Sequence, residues 1–353
     1  MEETRRMPIQ TASAPSQSPT GRTREWHDVD LAMFRNEIMP LDRPAVLRGL
    51  VADWPATAAG RRSPQAFCDY IGRLDVGRPM QTAVGPASIK GRLFYRDDMQ
   101  GFNFERVNET FRIALGRILA HMDQAEPPAV YAGALVTAEC FPGFDGENPM
   151  PLLGPTAPSR IWASSPVTAP THYDMSDNIA CVVAGRRRFT FFPPEQLPNL
   201  YVGPLEMTPA GQPTSLVKVG EADFDLYPRF AEALAAGETV DLEPGDAVFI
   251  PNLWWHNVQS LEPFNILVNY WWNDAGRGAA SPFAALLHTI MAVSALPQNR
   301  REAWLRMFAH LAFQADGPPA EHLAPEHRGV MGGLTPPMAA QLKQWLAHGL
   351  QRP

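Results

Sequence analysis

The central part of the chain is built from short, largely apolar runs that are separated by turn residues. Residues 129–136, 179–183, 189–192, 247–250 and 265–272 are runs of this kind, with glycine, proline or aspartate between them. Short apolar runs bounded by turn residues predict β-strands. Proline makes up 36 of the 353 residues, which disfavours long helices. We therefore predict a large, mainly β domain.

Three segments near the N-terminus show apolar residues at helical spacing. One follows Asp30, which can act as its N-cap, and one begins at Ser63, where the next residue is a proline. The third covers residues 108–123, with Asn108 as its cap. The β domain is therefore expected to carry an N-terminal decoration of helices and strands.

The two ends of the chain differ from its centre. The first 24 residues are polar and rich in proline, serine and threonine, so we predict a disordered tail over residues 1–24. The β domain is then expected over residues 25–280, and helical patterns follow over residues 281–353. The apolar faces of these C-terminal helices must pack on the β domain or on a second copy of the chain, so a homodimer is one of two expected arrangements.

Composition and motifs exclude several classes of protein. A net charge of −7 argues against a broad nucleic-acid surface, and no apolar run is long enough for a membrane span or a secretory signal. The absence of P-loop, GxGxxG and GxSxG motifs removes phosphoryl transfer, dinucleotide binding and serine hydrolysis. Cys68, Cys140 and Cys181 contain no CxxC pair, so we expect a reducing, cytoplasmic setting.

Three side chains have the chemistry of a metal site. His172 and Asp174 stand two residues apart in a predicted strand, so both leave the same face of the sheet. His256 follows a turn and a second apolar run. Two histidines and one carboxylate form the facial set used by non-haem iron. The competing interpretation is a solvated strand end or a hydrogen-bonded turn for the His172–Asp174 pair, and an ordinary core histidine for His256.

The order of the motifs resembles the cupin-like branch of the JmjC hydroxylases, over roughly residues 26–275. The motifs are THYD at residues 171–174, an asparagine at 178, G-x-R at 185–187, FTFFPPEQ at 189–196, PGDAVFIPNLWWHNV at 244–258 and an asparagine at 269. The resemblance implies a double-stranded β-helix, or jelly-roll barrel, with flanking helices. It also implies Fe(II) and the cosubstrate 2-oxoglutarate.

The same resemblance assigns individual roles. His172, Asp174 and His256 match the iron ligands of the family. Asn178 and Asn269 match the polar pair near the iron that contacts the 1-carboxylate end of 2-oxoglutarate.

Three further positions bear on cosubstrate binding, and two of them concern its far end. Arg187 stands where the family usually has a lysine that pairs with the distal carboxylate, and Tyr131 matches a tyrosine that binds the same group. A guanidinium can grip a carboxylate with two hydrogen bonds. Ala169 replaces the usual threonine. The tryptophans are interpreted mainly as barrel packing, with Trp162 as a candidate wall of the pocket mouth; the packing set is Trp254, Trp255, Trp271 and Trp272.

Together these features predict a 2-oxoglutarate-dependent dioxygenase that hydroxylates a C–H bond of an unidentified substrate, either a protein or peptide side chain or a small molecule. The alternative is a non-catalytic, metal-binding cupin-like interaction module, which Ala169 and Arg187 favour. Metal-dependent lyase or isomerase chemistry is a third interpretation, because a fold does not determine its reaction.

Overall fold

A computed structural model describes residues 16–154, 157–209, 211–273 and 280–350. The chain divides into two compact units, and the boundary lies between Trp272 and Asn273. The predicted boundary at residue 280 borders residues 274–279, which lie outside the described ranges. Across the described ranges, no helix combines the length and the apolar character needed to cross a membrane.

The first unit contains the strands of the predicted β domain. They are β1 (Gly21–Arg22), β2 (Arg24–Trp26), β3 (Ala45–Leu47), β4 (Pro79–Gly85), β5 (Glu105–Thr110), β6 (Ala129–Val136), β7 (Ser159–Ser164), β8 (Thr168–Tyr173), β9 (Asp177–Ala184), β10 (Arg187–Phe192), β11 (Glu238–Leu242), β12 (Ala247–Ile250), β13 (Trp255–Ser260) and β14 (Asn265–Trp272).

Within the described residues these strands form two sheets. The smaller sheet has the order β1-β11-β10-β13-β8, and the larger has the order β2-β3-β12-β9-β14-β7-β6-β4-β5. From β7 to β10, and again from β11 to β14, the chain changes sheet at every connection. This alternation is the double-stranded β-helix, and the predicted fold class, mainly β with flanking helices, is confirmed.

Strand β9 shows how the core is arranged. Ile179, Cys181 and Val183 belong to the apolar cluster that includes the flanking helices. Ala180 and Val182 belong to a second cluster, shared with strands of the smaller sheet. Successive side chains of a strand leave opposite faces, so both faces of β9 are buried. This double burial explains why its sequence is continuously apolar rather than alternating.

The helices lie mainly before and after the strands of the barrel. They are α1 (Leu31–Met33), α2 (Pro55–Arg62), α3 (Pro64–Gly72), α4 (Phe111–His121), α5 (Thr137–Cys140), α6 (Phe144–Glu147), α7 (Phe230–Ala236), α8 (Pro282–Val293), α9 (Gln298–Met307) and α10 (Pro336–Leu350).

Two predicted helix caps are confirmed and one is wrong. Asp30 accepts a hydrogen bond from the Met33 amide at 2.8 Å, and the Ser63 hydroxyl accepts one from the helix that follows. The third helix begins at Phe111 and is capped by Thr110, not Asn108. Asn108 instead belongs to β5, because pairing with β4 continues as far as Thr110.

The predicted disordered tail is ordered in its described part. Gly21 and Arg22 form β1, which pairs in parallel with β11 at the edge of the smaller sheet. Residues 1–15 lie outside the described ranges. The pairing uses backbone groups, so it does not require the apolar periodicity that this segment lacks. A glycine is needed here, because a Cβ at Gly21 would lie 2.5 Å from the carbonyl oxygen of Gly237.

The second unit contains α8, α9 and α10, as the helical pattern predicts. Several of its large apolar side chains are exposed, among them Met291, Trp304, Leu305 and Trp345. Which surface covers these faces, the β domain or a second copy of the chain, stays a prediction.

Phe249 offers a test of the core. Its side chain is buried in β12, and its ring centroid lies 5.3 Å from that of Phe34 and 6.0 Å from that of Trp272. We expect Phe249→Ala to lower the free energy of unfolding by about 3–5 kcal/mol, because the ring leaves a cavity. Urea denaturation measures the change. The control, Ile113→Ala on the exposed face of α4, should shift it by less than about 0.5 kcal/mol. An equal effect of the two substitutions would contradict this packing.

Candidate metal centre

Strand pairing brings the three predicted metal ligands together. In the antiparallel pair β8 and β13, His172 and His256 are direct partners. Asp174 follows the end of β8, and its carbonyl accepts a hydrogen bond from the Leu253 amide at 3.0 Å. Residues 84 positions apart in sequence therefore share one side of one sheet.

The three side chains lie close enough to share one ion. One ligand atom from each of His172, Asp174 and His256 falls within 4.8 Å of the other two. The Nε2 atom of His256 is 3.7 Å from Oδ2 of Asp174, and the two imidazole centroids are 4.4 Å apart. Asp174 and His256 are buried. The competing interpretation, a core histidine far from a strand-end pair, does not describe this cluster.

Backbone carbonyls set the tautomer of both histidines. The Nδ1 atom of His172 lies 2.8 Å from the carbonyl oxygen of Pro170, and that of His256 lies 3.0 Å from the carbonyl oxygen of Trp254. If each Nδ1–H donates to its carbonyl, each Nε2 lone pair faces the cluster. Burial, and then the neighbouring His172 ring, hold the pKa of His256 well below its usual value. His256 is therefore neutral at physiological pH, as a metal ligand must be.

A chain of hydrogen bonds holds Asp174 in place. Its Oδ2 accepts from Trp271 Nε1 at 3.0 Å and from Asn178 Nδ2 at 3.2 Å. Asn178 Oδ1 accepts from Asn269 Nδ2 at 3.2 Å, and Asn269 Oδ1 accepts from Trp162 Nε1 at 2.7 Å. Such partners of a ligating carboxylate orient it and adjust its basicity.

The four other predicted site residues line the same cavity as the metal ligands. This cavity, of about 60 Å³, lies between the two sheets. Its walls include all seven predicted side chains: Tyr131, His172, Asp174, Asn178, Arg187, His256 and Asn269.

Arg187 is a buried cation without a counter-charge. Its side chain is 2 % exposed, and its Nε and Nη2 atoms have no hydrogen-bond partner in the described part of the chain. Burial lowers the pKa of Arg187 to about 10, so it remains protonated at neutral pH. Burial likewise raises the pKa of Tyr131 to about 12, which keeps its hydroxyl proton in place. Both groups can therefore donate hydrogen bonds into the cavity.

Glycine at the preceding turn sets the position of Arg187. Gly185 has a φ of +71° between β9 and β10, a conformation that L side chains rarely adopt. A Cβ there would also lie 2.4 Å from the carbonyl oxygen of Phe264. The turn thus lets β10 begin at Arg187, directly opposite Ser260 of β13.

Two side chains of the site were missed by the sequence interpretation. Trp271 was predicted to be a packing residue, but it lines the cavity and donates to Asp174. Its position two residues after Asn269 on one strand is the signal that places both on one face. Ser260 also lines the cavity, four residues after His256, and its hydroxyl lies 2.9 Å from that of Ser164.

The remaining residues singled out from the sequence lie on the faces that the alternation of side chains along a strand predicts. Ala169 lines the cavity, and neither threonine of β8, Thr168 or Thr171, is among the wall residues. Thr171 is buried on the other face. Trp254 and Trp255 are core residues, in agreement with their interpretation as packing.

A wider cavity opens beside the metal ligands and reaches the surface. It measures about 250 Å³ and shares six wall residues with the inner cavity. The shared residues are Tyr131, Trp162, Ala169, His172, Asp174 and Trp271. We call this outer cavity the mouth of the site; a group that enters it approaches the metal ligands directly.

Metal binding tests the cluster. We expect Asp174→Ala to abolish Mn(II) binding in isothermal titration calorimetry, because it removes the only anionic member of the set. Trp271→Phe removes one hydrogen-bond donor to Asp174 and should weaken binding by about 10–100-fold. His121→Ala, on the distant helix α4, should leave the affinity unchanged. Wild-type affinity in Asp174→Ala would contradict the assignment.

Comparison with known proteins agrees with this architecture. Residues 31–277 match the family model described as "Cupin-like domain". The tRNA wybutosine-synthesizing protein 5 of Gallus gallus is 38% identical over 68% of this chain and 73% of its own length. Lysine-specific demethylase 8 of Danio rerio is 24% identical over 74% of this chain and 61% of its own length.

A third relative matches a shorter region. Lysine-specific demethylase JMJ31 of Arabidopsis thaliana is 38% identical over 33% of this chain, and the match covers only 21% of that protein. The family model, in contrast, spans most of the chain and includes all seven predicted site residues. This protein therefore belongs to the cupin-like family, of the type that includes the JmjC proteins.

Proposed function

We propose that this protein is an Fe(II)- and 2-oxoglutarate-dependent oxygenase that hydroxylates a C–H bond of a bound substrate. The observation that carries the proposal is the unpaired, buried Arg187 guanidinium in the same cavity as three candidate metal ligands. A cavity with a candidate metal site and a guanidinium that has no partner in the described chain suits a ligand that chelates through a 2-oxo acid and ends in a second carboxylate. 2-Oxoglutarate has this structure.

The donor set fits ferrous iron. Two neutral imidazoles and one carboxylate are the protein ligands typical of non-haem iron, with coordination positions left open for other ligands. His172 and His256 would bind through Nε2, because their Nδ1 atoms face backbone carbonyls. When bound, iron and 2-oxoglutarate supply the oxidising chemistry with O₂, and the protein supplies orientation.

The polar residues of the cavity fit the two ends of the cosubstrate. Arg187 and Tyr131 would donate hydrogen bonds to the distal carboxylate, and its oxygen atoms would accept from the guanidinium nitrogens that have no partner in the described chain. Asn178 and Asn269, which are hydrogen-bonded to each other, would contact the end nearer the metal. The apolar wall residues exclude water from this space; they include Phe189, Ile250, Val258 and Leu267.

The alternative, a non-catalytic cupin-like module, is less well supported. A module that keeps only the barrel shape has no use for a buried cation without a partner, and an unpaired buried charge is costly. Ala169 and Arg187 differ from the usual family residues, but both line the cavity and leave it open. Metal-dependent lyase or isomerase chemistry would use the same metal ligands, but it does not by itself call for a cosubstrate with a second carboxylate, which Arg187 suits.

Two substrate classes follow from the names of the relatives. The demethylases act on lysine, which agrees with a protein or peptide substrate. The wybutosine-synthesizing protein, which the chain covers over 73% of its length, acts on tRNA. An RNA substrate is therefore part of this proposal, beside the protein side chain expected from the sequence.

Cosubstrate binding tests the proposal. We expect Arg187→Met to raise the Kd of 2-oxoglutarate for the Mn(II)-loaded protein by about 10–150-fold, because one or two charged hydrogen bonds are lost. Arg187→Lys should retain more of the affinity, because it keeps the charge. Calorimetry measures both, and succinate release from the Fe(II) form gives the turnover.

The outcomes separate the two interpretations. An oxygenase should also develop a visible charge-transfer band when Fe(II) and 2-oxoglutarate are mixed without oxygen. A protein that binds metal, shows no such band and has the same weak affinity in Arg187→Met and wild type would be the non-catalytic module.

A further inference from the structure

Two arginines, one in the wall of the mouth and one packed on a wall residue, have no carboxylate partner in the described chain. The guanidinium of Arg106 lies on its rim, over the Phe104 ring at 5.6 Å. The guanidinium of Arg160 lies 4.9 Å from the centroid of Trp271, which is a wall of the mouth. Among the described residues, no salt bridge joins either arginine to a carboxylate, and Arg106 has only the Pro209 carbonyl as hydrogen-bond partner.

Acidic side chains are nearly absent from the mouth. Asp174, a candidate metal ligand, is the only carboxylate among its described wall residues. The chain as a whole carries a net charge of −7, so this local excess of cations runs against the composition. Other arginines of the first unit, such as Arg48 and Arg188, are paired with carboxylates. An anionic group on the substrate would provide the missing counter-charge for Arg106 and Arg160.

The same residues disfavour a cationic side chain such as lysine or methyl-lysine. A cation-binding aromatic cage needs exposed ring faces. One face of Trp271 is covered by Arg160, and the Phe104 ring is contacted by the Arg106 guanidinium and by the stacked ring of Phe102. The guanidinium of Arg106 in the wall of the mouth would also repel a second cation.

The uncharged polar groups of the rim favour a nucleobase. The carboxamides of Gln81 and Gln212 line the mouth, and no hydrogen bond to either is found within the described ranges. A carboxamide offers a donor and an acceptor together, which matches the edge of a base. Guanidinium planes stack on bases and bind phosphate, and unstacked bases of single-stranded RNA are read in this manner.

We propose that the mouth binds one nucleotide of a single-stranded RNA segment. Arg106 and Arg160 hold its phosphate and stack on its base, and Gln81 and Gln212 contact the base edge. The base is then directed towards the metal ligands; this inference rests on the proposed oxygenase function and names its substrate class. Because only two arginines take part, the contact is local and is compatible with a net charge of −7, which argues against a broad nucleic-acid surface.

The test uses the full-length, Mn(II)-loaded protein and a fluorescein-labelled single-stranded RNA of mixed sequence. We expect Arg106→Ala and Arg160→Ala each to weaken RNA binding about tenfold in fluorescence anisotropy, through the loss of a charged hydrogen bond. Each should also reduce the slope of log K against log salt concentration by about one, which corresponds to the loss of one phosphate contact. Arg112→Ala, which removes an exposed guanidinium from helix α4, is the matched control and should bind as the wild type does.

Each other outcome overturns the inference. Equal RNA affinity in wild type and both mouth variants would place RNA binding elsewhere. Displacement of the RNA by a trimethyl-lysine peptide, or by a glutamate-rich peptide at equal concentration, would assign the mouth to proteins. If Arg112→Ala weakens RNA binding as much as Arg106→Ala and Arg160→Ala do, the effect reflects the overall charge of the protein and not a site at the mouth.

A second measurement separates this inference from the oxygenase proposal. The Kd of 2-oxoglutarate should be unchanged in Arg106→Ala and Arg160→Ala, because neither residue lines the inner cavity. Unchanged melting temperatures would exclude misfolding. If the wild type binds RNA through the mouth but does not bind 2-oxoglutarate, the oxygenase proposal is wrong and the RNA site is supported. If it binds 2-oxoglutarate but does not bind RNA through the mouth, the oxygenase proposal is supported and the RNA site is wrong.

Discussion

The antiparallel pairing of β8 with β13 is the constraint on which the rest of the site depends. It sets His172 opposite His256 and leaves Asp174 at the end of β8, beside the loop that precedes β13. A shift of one residue in this register would turn one histidine to the other face of the sheet. The register is held in turn by the pairing of β13 with β10 on its other side, and this pairing also sets Arg187 opposite Ser260. One small sheet thus determines the position of both the candidate metal ligands and the buried cation.

The inner cavity shows how polar groups are tolerated between two apolar sheets. Asp174 receives two hydrogen bonds, and the asparagine pair behind it is bonded to Trp162, so nearly every buried donor and acceptor of this group has a partner. Arg187 is the exception. Burial of an unpaired charge is unfavourable. Because the neighbouring polar atoms have partners and this guanidinium has none in the described chain, the cavity is organised for a ligand that supplies the missing partner.

The mouth differs from the inner cavity in both charge and solvent access. The inner cavity combines the unpaired guanidinium of Arg187 with the Asp174 carboxyl group and two imidazoles, whereas the walls of the mouth include the guanidinium of Arg106 and two carboxamides. Net charge is a property of the whole surface, and a value of −7 does not describe a recess of this size. The local arrangement, not the composition, therefore bears on which substrate class reaches the metal ligands.

Short apolar runs predicted a mainly β domain, and the spacing of two histidines and an aspartate predicted the metal ligands, because both patterns are local properties of the chain. The four other cavity residues were predicted only through the resemblance to a known family. The sequence also identified Asp30 and Ser63 as helix caps, since capping requires only the next few residues. The tertiary structure decided three other features: the ordered conformation of residues 16–24, the hydrogen bond from Trp271 to Asp174, and the lack of a partner for Arg187 in the described chain. Each depends on which strand lies alongside or across the barrel, and those contacts join residues that are far apart in sequence.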